Sequence, residues 1–237
     1  MRFKNMRLTA VLLLVLLLSP AIPVLAQDNQ WGLGANLSYS LPVLGLRSWF
    51  TQGPELGIMV LYNYTSRTEL EVEYHHVRFN GGSLEERTFM WAPTGSTDRS
   101  PYGSPNAQSQ MRMNSYLVNG IFYLDQRQSG SGWSPYFSFG SGFYHYRTRE
   151  TGLIFPGQTG EALDATLLLE PDGDSRAALG ISLGLGVGLF VSERATIDLR
   201  ARYNVMLGQL RPMKAWGLEE VFPFHVLDFG IRIKTYL

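Results

Sequence analysis

The residues of this chain with chemical capacity fall at alternate positions. Glu69, Glu71 and Glu73 are separated by single apolar residues, as are Arg200 and Arg202, and Arg232 and Lys234. Asp198 lies two residues before Arg200 and Asp228 four before Arg232, on the same parity. A period of two places each set on one face of a β-strand. Carboxylates and cations gathered in this way suit a salt-bridged plug, a gated ion path or an acid/base site. His75 and His76 are adjacent and must face opposite sides of a strand, so they do not chelate one metal together. His145 and His225 are isolated, and no metal site is expected. The absence of Cys excludes disulfides, thiolate metal sites, Cys nucleophiles and a lipid-anchored N-terminal Cys. Gly180, Gly184, Gly186 and Gly188 keep strand spacing and precede no helix, so they are not a phosphate loop. They are expected to leave room beside larger charged side chains. No cofactor is implied.

The elements that carry these residues are strands. Trp31 to Leu41 alternates, with Trp31, Leu33, Ala35, Leu37, Tyr39 and Leu41 on one face and small or polar residues on the other. Leu56 to Tyr64 repeats the pattern, and Leu70, Val72 and Tyr74 oppose Glu69, Glu71, Glu73 and His75. Further strands are predicted over 115–124, 136–146, about 180–189, 197–205 and 227–237. The count is eight, at roughly ten residues each. Connections alternate in length: 42–54, 80–111, 148–177 and 208–224 are long, whereas 65–68, 125–134 and 192–195 are short. This rhythm fits a membrane barrel with short periplasmic turns and long extracellular loops. Lipid then lies outside and the polar faces point into the lumen. In such a barrel the third and seventh strands face each other across the lumen, and the eighth adjoins the seventh. Glu69, Glu71, Glu73, Asp198, Arg200, Arg202, Asp228, Arg232 and Lys234 therefore share the interior. An eight-stranded interior is just wide enough for side chains to fill, so a plug is the expectation.

Composition agrees. Charged residues make up 17% of the chain against 13% aromatics, fewer charges than the ~25% of ordinary soluble domains. Twenty basic residues balance twenty acidic ones, so no basic field favours nucleic acid. At the N-terminus, Arg2, Lys4 and Arg7 precede an apolar run from Leu8 to Leu18, then Pro20 and Pro23, then Val24-Leu25-Ala26. That is the layout of a secretory signal peptide. Residues 1–26 are expected to be cleaved, leaving residues 27–237 as one barrel domain. No other apolar run reaches the length of a membrane-spanning helix.

The chain resembles the eight-stranded OmpA/OmpX-like outer-membrane barrels, within the porin-like outer-membrane β-barrel superfamily. The resemblance rests on Asn119-Gly120 within Tyr116 to Tyr123, on Tyr136-Phe137-Ser138-Phe139-Gly140-Ser141-Gly142, and on the terminal strand. Asp228-Phe229-Gly230, Ile231, Ile233 and Leu237 match in part the signal that such barrels present to the barrel-assembly machinery. Thr235 and the terminal Leu237 depart from it, with Tyr236 one place early. The resemblance implies an all-β, up-and-down antiparallel barrel in the bacterial outer membrane, in contact with outer-membrane lipid and lipopolysaccharide. It is expected to be a monomer. The expected role is structural or surface interaction through the extracellular loops, with an unidentified extracellular ligand; the alternative is a narrow passive pore for ions or small solutes, and a lipid-modifying enzyme comes third. Some barrels of this kind modify lipid A, with a His-x-Ser pair in the deacylases. None of the four histidines has Ser two residues on, and the chain is expected not to be an enzyme. Trp91, Tyr102, Trp216 and Phe222 lie in the long connections, where they serve either loop packing, an interfacial girdle or a ligand surface.

Overall fold

The computed structural model describes residues 29–237 except 83, 87, 126–132, 172, 193 and 211–221. Residues 1–26, expected to form a signal peptide, therefore lie outside the described residues. The strands are β1 (Gln30–Val43), β2 (Gly53–Thr65), β3 (Thr68–Phe79), β4 (Thr88–Trp91), β5 (Ser100–Gly103), β6 (Gln108–Tyr123), β7 (Trp133–Thr151), β8 (Ser175–Ser192), β9 (Ala195–Met206) and β10 (Phe224–Tyr236). Eight of them close a barrel in the order β1-β10-β9-β8-β7-β6-β3-β2, with every pairing antiparallel. Closure leaves no unpaired edge, the condition for strands to sit in lipid. β3 and β9 lie across the barrel from each other and β10 adjoins β9, as the alternation predicts.

The outer wall is apolar from strand to strand. Leu33, Leu37, Ile58, Val72, Val118, Phe139, Leu183, Leu185, Leu199 and Ile231 are all exposed on it. An exposed apolar face of this extent is stable only against lipid. Near the short turns it ends in Trp31, Tyr62, Tyr64, Phe122 and Trp133, with Trp31 on Tyr62 and Phe122 on Phe137 at 4.9 Å between ring centroids. Interfacial aromatics of this kind mark the edge of a hydrocarbon layer.

Toward the long loops the pattern turns inside out. On β3, Leu70 and Val72 are exposed while Glu69, Glu71, Glu73 and His75 are buried; beyond them Val77 and Phe79 are buried while His76 and Arg78 are exposed. β6 repeats the reversal, with Met111 and Met113 inside and Arg112 outside. So does β7, with Tyr144 and Tyr146 inside and His145 and Arg147 outside. The reversal marks where lipid gives way to water. Beyond it the chain buries apolar residues inward as any soluble protein does.

This changes the expected connections. The aperiodic stretch 80–111 contains the β4–β5 hairpin and a 3-10 turn (Leu84–Glu86), and another 3-10 turn (Leu44–Ser48) follows β1. β6, β7 and β8 run several residues further than alternation indicates, so the long connections shorten to 80–107 and 152–174. The sequence reading ended these strands where their faces exchange polarity. Leu46, Trp49 and Phe50 from the first connection meet Leu84, Phe89 and Trp91 from the second, Leu153 and Ile154 from the third and Leu210 from the fourth. These pack on Phe79, Met111, Tyr146 and Phe224 inside the barrel mouth. A single apolar cap thus lies over the lumen.

The topology has a direct test. The native chain has no Cys, so single introduced thiols report cleanly. Thr97→Cys, at the exposed tip between β4 and β5, should react with an impermeant reagent on intact cells, and Ser66→Cys, in the β2–β3 turn, should react only after the envelope is opened. Labelling of position 66 on intact cells would reverse the orientation.

Candidate functional site

All nine charged positions assigned to the interior are buried, none more than 6% exposed. Strand pairing brings them together in tiers. Nearest the short turns, Lys234 Nζ lies 2.6 Å from Glu69, 2.8 Å from Glu71 and 2.8 Å from Asp198. The Tyr236 hydroxyl donates to the second Glu69 oxygen at 2.9 Å. In the next tier Arg232 contacts Glu71 directly and stands 3.8 Å from both Glu73 and Asp198. Asp198 is its directly paired neighbour on β9. Arg200 reaches across the lumen to Glu73 with two parallel bonds of 2.8 and 2.9 Å. Gly230 is paired with Arg200 and leaves it space. A bidentate guanidinium–carboxylate pair fixes orientation as well as charge.

The upper tier centres on Arg202. It donates to Glu73 at 2.8 Å, to Asp228 at 3.0 and 3.1 Å and to Glu55 at 3.2 Å. His75 lies between two of the same acids, 2.5 Å from Glu73 and 3.1 Å from Glu55. Small hydroxyls complete the shell: Ser38 and Ser40 donate to Glu55 at 2.9 and 3.0 Å. Asn204 donates to Asp228 at 2.7 Å and accepts from Tyr144 at 3.1 Å. The space bounded by Asn36, Ser38, Arg200, Arg202, Asp228 and Gly230 has no room for a water molecule.

Two members of the cluster escape the sequence reading. Glu55 precedes the first apolar residue assigned to its strand, although its parity with Gly57 and Met59 places it inside. His75 shares the inner face with the glutamates, but alternation gives it no role. The glycine series stands beside charged side chains as expected, Gly184 paired with Arg202, Gly186 with Arg200 and Gly188 with Asp198. A Cβ on Gly186 would meet Tyr136 Cζ at 2.3 Å, and one on Gly180 would meet Tyr144 Cε2 at 2.7 Å. The room also serves side chains of β7, with Ser138 Oγ 2.4 Å from a Cβ on Gly184; at Gly188 the neighbour is Asp198, 3.1 Å away. Among the described residues no group of His, Asp and Glu is arranged to hold a metal ion. Of the loop aromatics, Trp91 is buried, packs edge-on against Tyr102 at 5.7 Å and donates to the Gln158 carbonyl at 2.9 Å. Both therefore belong to the cap. Phe222 is exposed, and Trp216 lies outside the described residues.

What the arrangement does chemically is hold opposite charges together in a packed, low-dielectric interior. The fold is that of an outer-membrane β-barrel. No family model matches the chain, and no curated protein matches it. The fold is shared with solved structures. Ail, the attachment invasion locus protein of Yersinia pestis, is 9% identical with a TM-score of 0.47, over 89% of this chain and 100% of that one. The outer-membrane protein OprG of Pseudomonas aeruginosa is 11% identical with a TM-score of 0.48, over 89% and 97%. The outer-membrane protease OmpT of Escherichia coli is 8% identical with a TM-score of 0.40, over 92% and 100%. At these identities the likeness is one of fold alone. The expectation that the chain is not an enzyme is withdrawn: a protease is among the similar structures, at 8% identity.

Proposed function

We propose that the protein is an outer-membrane barrel with a closed lumen that displays its loop crown as a structural or surface-interaction element, reaching the membrane after cleavage of residues 1–26. The observation that carries this reading is the cap. Residues from all four long connections bury their apolar side chains together over the barrel mouth. Loops that share one core are ordered before any partner arrives, and a preordered surface loses less entropy on binding. The charged tiers beneath support a closed interior over a narrow passive pore.

The test compares cells carrying the wild-type protein, a deletion, and a version in which the exposed tip 94–99 is replaced by Gly and Ser. Adhesion to surfaces, detergent resistance of the envelope and small-solute uptake are measured together, with wild-type protein in planar bilayers alongside. Loss of adhesion or envelope integrity on deletion is the expected result, with the tip replacement reproducing the adhesion part. Loss of solute uptake alone, or steady conductance of the wild-type barrel, overturns the reading.

A further inference from the structure

Among the described residues the outer wall carries a strongly charged patch, and strand register explains its position. Tyr74, Tyr116 and Phe143 are directly paired across β3, β6 and β7, with Tyr74 and Tyr116 in ring contact at 5.2 Å. The next outward-facing row is His76, Asn114 and His145. The row after that is Arg78, Arg112 and Arg147, again directly paired strand to strand and all exposed. Arg149 follows on β7.

Like charges directly opposite one another on neighbouring strands destabilise a sheet. Three in a row need an anion between them to be favourable. The protein does not supply it: Arg78 donates to the Gln110 side chain at 3.1 Å, and no ion pair among the described residues involves Arg78, Arg112 or Arg147. The acids of the same strands point inward, Glu69, Glu71, Glu73 and Glu150 all being buried. The residue paired with Arg147 on β8 is Ser175, and β2 beside Arg78 begins Gly53-Pro54-Glu55, so the row of cations is confined to three adjacent strands.

The arginines lie four residues beyond the aromatic row. That is about 10 Å along the barrel axis at a rise of ~3.3 Å and a tilt of ~40°. The headgroup layer beyond the hydrocarbon is roughly 5–8 Å thick, and an arginine side chain is long enough to reach back into it. Guanidinium groups bind phosphate through paired donors.

We propose that the outward wall of β3, β6 and β7 is a binding site for a phosphorylated lipid of the outer leaflet, with phosphate bridging Arg78, Arg112 and Arg147 and acyl chains lying on the apolar wall beside Tyr116 and Phe143. The site rests on the long loops facing outward, which labelling at positions 66 and 97 tests separately.

The full mature barrel is reconstituted in phosphatidylcholine nanodiscs doped with lipopolysaccharide, with the same lipopolysaccharide after dephosphorylation, or with inorganic phosphate added to the buffer. Retained lipid is read by native mass spectrometry, and thermal unfolding by gel mobility. Wild type should retain the phosphorylated lipid and unfold at higher temperature with it. The triple variant Arg78→Gln, Arg112→Gln, Arg147→Gln should retain it about tenfold less, the sum expected for three exposed charge contacts. Arg194→Gln, at the short-turn end, should behave as wild type. If the triple variant does not fold, Arg112→Gln, the middle of the row, takes its place with a smaller loss. Equal retention by the variant, equal retention of dephosphorylated lipid, or stabilisation by inorganic phosphate without lipid retention overturns the proposal.

Discussion

Replacing Arg202 with Gln should lower barrel stability by about 3–5 kcal/mol, the range found when one partner of a buried ion pair is removed. Arg202 is the cation for Asp228 and shares Glu55 with His75 and Glu73 with Arg200. Its loss leaves Asp228, 4% exposed, without a cationic neighbour among the described residues. The neutral replacement of an acid should cost much less. In Glu71→Gln, Lys234 keeps Glu69 and Asp198, Arg200 keeps Glu73, and Arg232 keeps Asp198 and Glu73. That change should cost about 1–3 kcal/mol, the scale of a perturbed buried hydrogen bond. The asymmetry follows from the composition of the lumen. Glu55, Glu69, Glu71, Glu73, Asp198 and Asp228 face four Arg and Lys side chains, so each cation serves more than one acid. Urea unfolding in lipid vesicles, scored by the linear extrapolation, measures both variants. Equal midpoints for the two would mean that the charges do not act as a connected cluster.

The barrel and its charged interior were legible because a membrane strand writes its two environments into alternate residues. Glu69 to His75 could be sorted inward from parity alone, and Asp198 to Asn204 likewise. Glu55 falls at a boundary: alternation starts the strand at the first exposed apolar residue, Leu56, whereas β2 begins three positions earlier at Gly53. The cap was missed for a different reason. Val77 and Phe79 continue the inward parity of Glu73 and His75 but reverse its chemistry, so an alternation rule that fixes polar as inward stops at His75. The reversal was present in the sequence as Val77-Arg78-Phe79 and Met111-Arg112-Met113. The partners of those residues were not, because Trp49, Phe89 and Ile154 lie in aperiodic segments. Their meeting depends on barrel closure, which brings distant loops to one mouth.

The cap and the charged tiers close the lumen in series, so opening one should not open the barrel. Trp49→Ala removes a side chain that is 2% exposed at the centre of the cap. Its backbone carbonyl also holds the second connection, accepting from Gly82 N at 2.9 Å and from Ser109 Oγ at 2.8 Å. Truncation of a buried Trp costs about 3–5 kcal/mol. The loss should fall on the loops first, because their order derives from the cap rather than from the barrel hydrogen bonds. Amide exchange should therefore accelerate at Gly82, Phe155 and Leu169, whose N–H groups bond to Trp49, Leu167 and Leu153. Exchange within β7 and β8 should stay slow. In planar bilayers Trp49→Ala should remain silent, because the charged tiers, which Arg232 links through Glu71, Glu73 and Asp198 into one connected layer, still fill the barrel. Arg232→Ala alone should also remain silent, because the cap still covers the mouth. The double variant should conduct, with anion or cation preference set by the acids left uncompensated, hence toward cations. Conductance in Trp49→Ala alone would assign the whole seal to the cap. Silence in a folded double variant would mean that neither layer sets the closure and that backbone packing of the eight strands does.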